Sequence, residues 1–177
     1  MSYWFSCFMM YSFLGYLLEK LFAYATHSER QVRKCFLFLP LCPVYGAAMV
    51  AVLFLLPTTL PFRIRVVMGA IICTATEYLV HLFYDKVFRT RFWDYSDLSF
   101  HIRGRICPHF ALIWGILSSL AVDVVHPLLA PIAFAVPAYA AFGLWMLLAL
   151  DCVFTSALLL RRHDTELLSL SALLSQR

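Results

Sequence analysis

The chain has 177 residues, of which 63% are apolar and 14% are charged, and its mean hydropathy is +0.81. Soluble domains contain about 25% charged residues, so this chain has too few charges to coat a water-soluble globule. Its length fits one domain and leaves no room for a separate ATPase domain, and it has no phosphate-loop motif. The composition predicts an integral membrane protein. The net charge of +4 comes from short clusters between apolar runs and does not indicate nucleic-acid binding.

Five apolar runs predict transmembrane helices of roughly 20 residues each. They cover about residues 2–24, 36–57, 66–84, 106–125 and 128–160. Pro40 and Pro43 predict an irregular entry at 36–43, with regular helix after Tyr45. The fold class is therefore an all-α, polytopic transmembrane helix bundle of about five spans.

Prolines also divide the last third of the chain. We expect the fourth span to stop at His126 and Pro127, and the fifth to be regular only from about Ala138. The stretch 128–137 would then be a short interfacial or re-entrant piece. A sixth span is the alternative.

The basic residues predict the orientation of the bundle. Segments 26–34, 85–105 and the tail after residue 160 contain three, five and three lysines and arginines, whereas the remaining loops contain only Arg63 and Arg65. Cytoplasmic segments are enriched in these residues, which predicts an N-out, C-in topology. Residues 1–160 would form one transmembrane domain. Residues 161–177 would form a short cytoplasmic tail, either frayed or lying on the membrane as an amphipathic helix.

Three carboxylates lie inside predicted spans, where each costs about 2.5–3.5 kcal/mol near the bilayer centre. Glu19, Glu77 and Asp151 all fall in the cytoplasmic halves of their spans. Ser12 and Gly15 share a helical face with Glu19, a polar stripe on span three joins Glu77 to His81, and Asp151 precedes Thr155 by one turn. We interpret Glu19, Glu77 and Asp151, with His81 and Tyr45, as candidates for a polar cavity. Interhelical hydrogen bonding is the alternative.

The inner loop is the second candidate site. Its polar and aromatic motif comprises Trp93, Asp94, Tyr95, Asp97, Arg103, Gly104 and Arg105. One interpretation is an ordered loop that covers the cytoplasmic mouth of the cavity. The other is an interfacial loop with capped turns. Gly104, between two arginines, would suit close approach to an anionic head group.

Several short motifs occur together in order along the chain. They are Gly15-Tyr-Leu-Leu-Glu19, Cys42-Pro-Val-Tyr-Gly46, Glu77-Tyr78, Trp93-Asp-Tyr-Ser-Asp97, Gly104-Arg-Ile-Cys107, Trp114-Gly115 and His126-Pro127. Together they resemble the ABC-transporter type IV permease family (CmpB-type), small bacterial membrane proteins. The sequence departs from the pattern at Lys34-Cys35 and Leu39-Pro40, where two glycines are replaced. The resemblance implies a permease that works with a separate ATPase.

The leading hypothesis is a transporter-like protein of the bacterial inner membrane, surrounded by lipid, with a separate ATPase subunit and a homodimeric assembly as the expected partners. No cofactor and no metal site is identified, and an enzyme is the less favoured class. In the enzymatic alternative, a lipid or phosphate substrate would react at the inner leaflet near Asp94, Asp97 and His101, with Arg103 and Arg105 holding phosphate. The third hypothesis is an accessory or assembly subunit.

Overall fold

The structure is a computed structural model that describes residues 2–26 and 35–162, and throughout these residues the regular secondary structure is helical. The helices are α1 (Ser2–Ala25), α2 (Pro43–Leu55), α3 (Phe62–Phe83), α4 (Pro108–Leu120), α5 (His126–Ala135) and α6 (Ala138–Arg162). Short π-helical turns extend α3 at Tyr84–Phe88 and join α4 to α5 at Ala121–Val125. The all-α prediction is therefore confirmed for the described residues. The predicted amphipathic tail and nearly all of the 26–34 loop lie outside them.

Prolines set the starts of the helices in the first half of the bundle. The segment 35–42 is irregular, as predicted, but regular helix begins at Pro43, two residues before Tyr45. Pro108 starts α4 in the same way. Proline suits the first helical turn because that turn needs no donor from the proline nitrogen.

The predicted stop at His126 and Pro127 is wrong. The chain stays helical from Pro108 to Ala135, so residues 128–135 continue the fourth helix rather than forming a re-entrant piece. In a regular helix, the ring of Pro127 would clash with the carbonyl four residues earlier. The π turn at Ala121–Val125, which is wider than an α-helical turn, ends two residues before this proline. It changes the spacing between the proline ring and that carbonyl. The helix ends before Pro137, and α6 begins at Ala138 as expected.

Three helical rods among the described residues are long and apolar enough to cross a membrane: Phe62–Phe88, Pro108–Ala135 and Ala138–Arg161. Helix α2 has 13 residues, which gives a length of about 20 Å, short of the roughly 30 Å hydrocarbon core. The chain is therefore a helical membrane protein, whereas its five spans and its orientation remain predictions.

Small residues bring the helices of each neighbouring pair close together. A Cβ on Gly46 of α2 would collide with the Ser12 hydroxyl and the Phe8 carbonyl of α1. A Cβ on Gly115 of α4 would collide with the Val66 carbonyl of α3. Such close contact is typical of membrane helices, which gain stability from van der Waals packing rather than from water exclusion.

The two ends of α3 carry different polar structures. Near its start, Arg65 forms an ion pair of 2.6 Å with Asp123 in the π turn after α4. Beyond its other end, the chain forms the non-helical loop 89–107, in which Ile102 and Ile106 form an isolated bridge. This loop therefore lies at the opposite end of the bundle from the Arg65 ion pair. The basic residues predict that the loop end is cytoplasmic.

Candidate functional site

A cavity of about 600 Å³ lies between α1, α2, α3, α4 and the loop 89–107. Most of its lining is aliphatic or aromatic. Two carboxylates, Glu19 and Glu77, belong to the lining, and so does Tyr45 of α2. From the loop, Trp93 and Tyr95 also belong to the lining. The structure thus brings two of the three predicted carboxylates to one cavity.

Glu19 reaches the cavity because one face of α1 packs tightly on α2. Ser12 and Gly15 on this face are buried, and a Cβ on Gly15 would overlap the ring of Tyr45. One turn after Gly15, Glu19 Oε1 accepts a hydrogen bond of 2.7 Å from the Tyr45 hydroxyl. The shared face predicted for Ser12, Gly15 and Glu19 is therefore a packing face that ends in a carboxylate at the cavity.

Glu77 is held by donors from two other elements. Its Oε1 accepts a hydrogen bond of 2.8 Å from the Tyr95 hydroxyl, and its Oε2 accepts one of 3.2 Å from the Trp114 indole nitrogen. Glu77 itself is only 7% exposed. The three groups fasten α3, α4 and the loop around one buried carboxylate.

Aromatic contacts connect the surroundings of the two carboxylates. The ring of Tyr45 meets the edge of Trp114 at a centroid distance of 5.4 Å, and Tyr95 stacks on Phe110 at 4.8 Å. Phe110 in turn lies 6.0 Å from Trp114. Within the described residues, no lysine, arginine or histidine lines the cavity, so the two carboxylates are bound by neutral hydroxyl and indole donors.

Asp151 lies elsewhere in the bundle. Its carboxylate accepts hydrogen bonds from the backbone nitrogens of Phe38 (3.1 Å) and Leu39 (2.7 Å), and from the Thr155 hydroxyl (3.0 Å). It is not a lining residue of the cavity. The irregular segment 35–42 presents backbone donors that α6 must satisfy at membrane depth, and Asp151 provides that acceptor.

His81 is buried, and it supports the loop rather than lining the cavity. The carbonyl of Trp93 can only accept, so His81 Nε2 donates the 3.1 Å hydrogen bond between them. The Trp93 indole nitrogen donates to the Arg105 carbonyl at 3.1 Å. Arg105 pairs with Asp85 at 2.6 Å and its guanidinium lies 5.5 Å from the Tyr78 ring centroid. This chain of contacts fixes the loop against the end of α3.

The middle of the loop is held by Asp94 and Gly104. Asp94 Oδ1 accepts hydrogen bonds from the backbone nitrogen and the hydroxyl of Ser96, and Arg91 lies 3.2 Å from Oδ2. Gly104 has a φ of +69°, and a Cβ there would collide with Asp94 and Ser96. Gly104 therefore makes a close contact with a carboxylate of the same loop, and the expected approach of an anionic head group remains a prediction.

Two pKa values in the loop reflect these contacts. Hydrogen bonds from Ser96, with Arg91 nearby, hold the pKa of Asp94 below its ordinary value. Burial and the neighbouring Glu77 carboxylate raise the pKa of Tyr95 far above its ordinary value, so its hydroxyl remains a donor at physiological pH.

Contacts inside the loop and with the end of α3 hold two of the residues assigned to the enzymatic alternative. His101 Nδ1 accepts a hydrogen bond of 2.9 Å from the Gly104 backbone nitrogen, and Arg105 is committed to Asp85. Asp97 and Arg103 are exposed on the loop surface. Among the described residues, no three histidine, cysteine, aspartate or glutamate side chains are grouped to hold a metal ion.

Sequence reasoning missed several lining residues, of which Trp114 matters most because it binds Glu77. An indole nitrogen inside an apolar helix usually needs a hydrogen-bond partner, so Trp114 carried a usable signal. Tyr11 and Phe110 carried no comparable signal. Apolar and aromatic side chains in a predicted span do not reveal whether they face lipid, protein or a cavity.

Comparison with known proteins identifies a family. Neither a curated protein nor a solved structure matches the chain significantly. The sequence pattern of the ABC_trans_CmpB family, described as Putative ABC-transporter type IV, matches residues 6–156, which cover α2 to α5 and most of α1 and α6. That range contains every residue of the cavity and of the loop, and the chain therefore belongs to this ABC-transporter type IV (CmpB) family.

Proposed function

We propose that this chain is the membrane-embedded subunit of a bacterial inner-membrane transporter, and that its cavity binds the transported solute. The observation that carries the proposal is the presence of Glu19 and Glu77 on one cavity inside an apolar bundle. Carboxylates within membrane helices are costly and generally mark binding sites or pathways. Helix association alone would be served by uncharged polar residues at lower cost.

The position of the loop supports a route to the cytoplasm that opens when the loop moves. Trp93 and Tyr95 line the cavity at the end where basic residues cluster. The Tyr95 hydroxyl is bound directly to Glu77. A solute that binds Glu77 would compete for this carboxylate and could thereby release the loop.

The family supports a partner that supplies energy. The 177 residues contain no phosphate loop, and the family is described as ABC-transporter type IV, so the proposal includes a separate ATPase subunit. The surface available to such an ATPase is the loop 89–107 together with the 26–34 loop. A single bundle of this size is small for a complete transport path, so we include a homodimer in the proposal.

Native mass spectrometry of the complex, gently extracted from its own host membrane, tests the partner. We expect an added mass that matches an ATPase subunit, together with ATP hydrolysis by the isolated complex. A homo-oligomer without ATP hydrolysis would contradict the transporter assignment and would favour an accessory role.

Single-residue variants test the cavity. Glu19→Gln and Glu77→Gln keep the side-chain shape and the acceptor oxygen while they remove the charge, so we expect loss of transport from a protein that still folds. Arg63→Gln is the control, because Arg63 is an exposed charged residue outside the cavity, at the opposite end of α3 from the loop. Failure of both glutamine variants to accumulate as folded protein would show that the carboxylates serve the bundle instead.

A further inference from the structure

We propose that the cavity is a binding site for an amphipathic organic cation that enters from the lipid between α1 and α4. This inference rests on the proposed function and names its class of substrate. Three observations carry it: the sign of the charge, the aromatic wall, and the side on which the cavity opens.

The charge of the cavity has one sign. Glu19 and Glu77 receive hydrogen bonds from the Tyr45, Tyr95 and Trp114 side chains. These donors are neutral, and among the described residues no basic side chain lines the cavity. The other carboxylates with close partners at the loop end, Asp85 and Asp94, have arginines beside them. The cavity carboxylates therefore lack the arginine partner that Asp85, Asp94 and Asp123 have, and a cationic ligand would supply the counter-charge.

Aromatic rings form much of the wall beside the carboxylates. Tyr45 and Trp114 meet edge to face between Glu19 and Glu77, and the stacked pair Tyr95 and Phe110 continues the wall. The faces of aromatic rings attract cations, and desolvated sites gain most from this interaction. An inorganic cation would instead need several oxygen ligands, which this mostly apolar lining does not offer. Rings beside carboxylates suit an ammonium or phosphonium group that carries apolar substituents.

The cavity opens toward the bilayer. Its exposed lining residues are all on α1 and on the rod formed by α4 and its π turn: Leu14, Phe22, Leu117, Leu120 and Val124. The rod Pro108–Ala135 is apolar and long enough to cross a membrane. An opening between these helices therefore faces lipid, from which an amphipathic ligand could slide in with its charged end toward the glutamates.

Equilibrium binding to the full chain in lipid nanodiscs tests the ligand class. The probes are tetraphenylphosphonium and tetraphenylborate, which have similar shapes and opposite charges, and empty nanodiscs give the background of partition into lipid. We expect saturable binding of the phosphonium that is tighter than binding of the borate by about tenfold or more, since desolvated cation–aromatic contact alone corresponds to about that factor.

Variants connect the binding to the cavity. We expect Glu77→Gln and Glu19→Gln each to weaken phosphonium binding by about tenfold or more while borate binding stays equal or tightens. Trp114→Leu should also weaken phosphonium binding. The controls are Asp97→Asn on the loop surface and Trp145→Leu on the exposed face of α6, which should leave binding unchanged.

Two results would overturn the proposal and assign the cavity to lipid chains or neutral compounds. One is equal binding of the two probes, and the other is phosphonium binding that the glutamine variants do not weaken. The comparison of the two probes needs only the unaltered protein, so it holds even if a variant fails to fold. Binding requires neither ATP nor transport, so a missing ATPase partner overturns the proposed function without affecting this result. Conversely, an ATPase complex that does not prefer the phosphonium overturns the ligand class alone.

Discussion

Replacement of Asp151 by alanine should destabilise the fold rather than impair ligand binding. The carboxylate accepts two backbone hydrogen bonds from Phe38 and Leu39 and one from Thr155. A hydrogen bond to a charged group contributes about 1.5–3 kcal/mol, so loss of the two backbone bonds should cost about 3 kcal/mol or more. For a chain of this size, that corresponds to a fall in Tm of about 6–12 °C.

Thermal unfolding of the solubilised protein, monitored by size-exclusion chromatography, measures this change in Tm. Thr155→Val is the matched partial variant, because it removes one of the three hydrogen bonds and should cost about 1.5–3 kcal/mol, less than Asp151→Ala. Cation binding, measured at a temperature at which both variants are folded, should be unchanged. If Asp151→Ala unfolds within about 2 °C of the unaltered protein and also loses cation binding, the structural role assigned to Asp151 is refuted.

Three further predictions concern the loop and the helix contacts. Gly104→Ala should destabilise the fold by about 1–3 kcal/mol and speed proteolysis of the loop, because φ is positive there and the space is filled. The control Gly143→Ala on α6, which has open space around it, should be neutral or stabilising. Equal effects of the two variants would contradict the loop geometry. Gly115→Leu should cost about 1–3 kcal/mol by forcing α4 away from α3, and an unchanged unfolding temperature would contradict the close contact. The pKa of Asp94 is lower in the folded state than in the unfolded state. Its stabilisation of the loop is therefore fully present above the unfolded pKa of about 3.9 and is lost as the pH falls through the folded pKa. Protection of the loop amides from hydrogen exchange should show this loss, and Asp94→Asn should abolish the pH dependence of that protection.

Helical periodicity and the free-energy cost of a carboxylate in a membrane helix identified the polar face of α1 without any knowledge of its partner helix. Ser12, Gly15 and Glu19 lie at helical spacing, and small or polar residues are enriched where membrane helices meet. That reasoning correctly placed the face inside the bundle. It could not reveal that Tyr45 is the partner of Glu19, because the contact joins residues 26 positions apart on two helices.

Proline positions were an incomplete guide to helix ends. Pro43 and Pro137 mark real boundaries, whereas Pro127 and Pro131 lie within continuous helix, and a π turn at Ala121–Val125 precedes Pro127. A single sequence shows that a proline removes a donor, but not whether the backbone before it widens to absorb the change.

The sequence by itself determined that this protein lies in a membrane, that it is helical, which carboxylates are expensive and which loop carries the polar motif. Those conclusions depend on local quantities, namely hydrophobicity, helical spacing and the free energy of burying a charge. Only the tertiary structure decided that Glu19 and Glu77 line one cavity while Asp151 binds the backbone of segment 35–42. All three carry the same charge at similar predicted depth. What separates them is the direction in which each helix face points and which donors meet it, and the packing of the helices sets both.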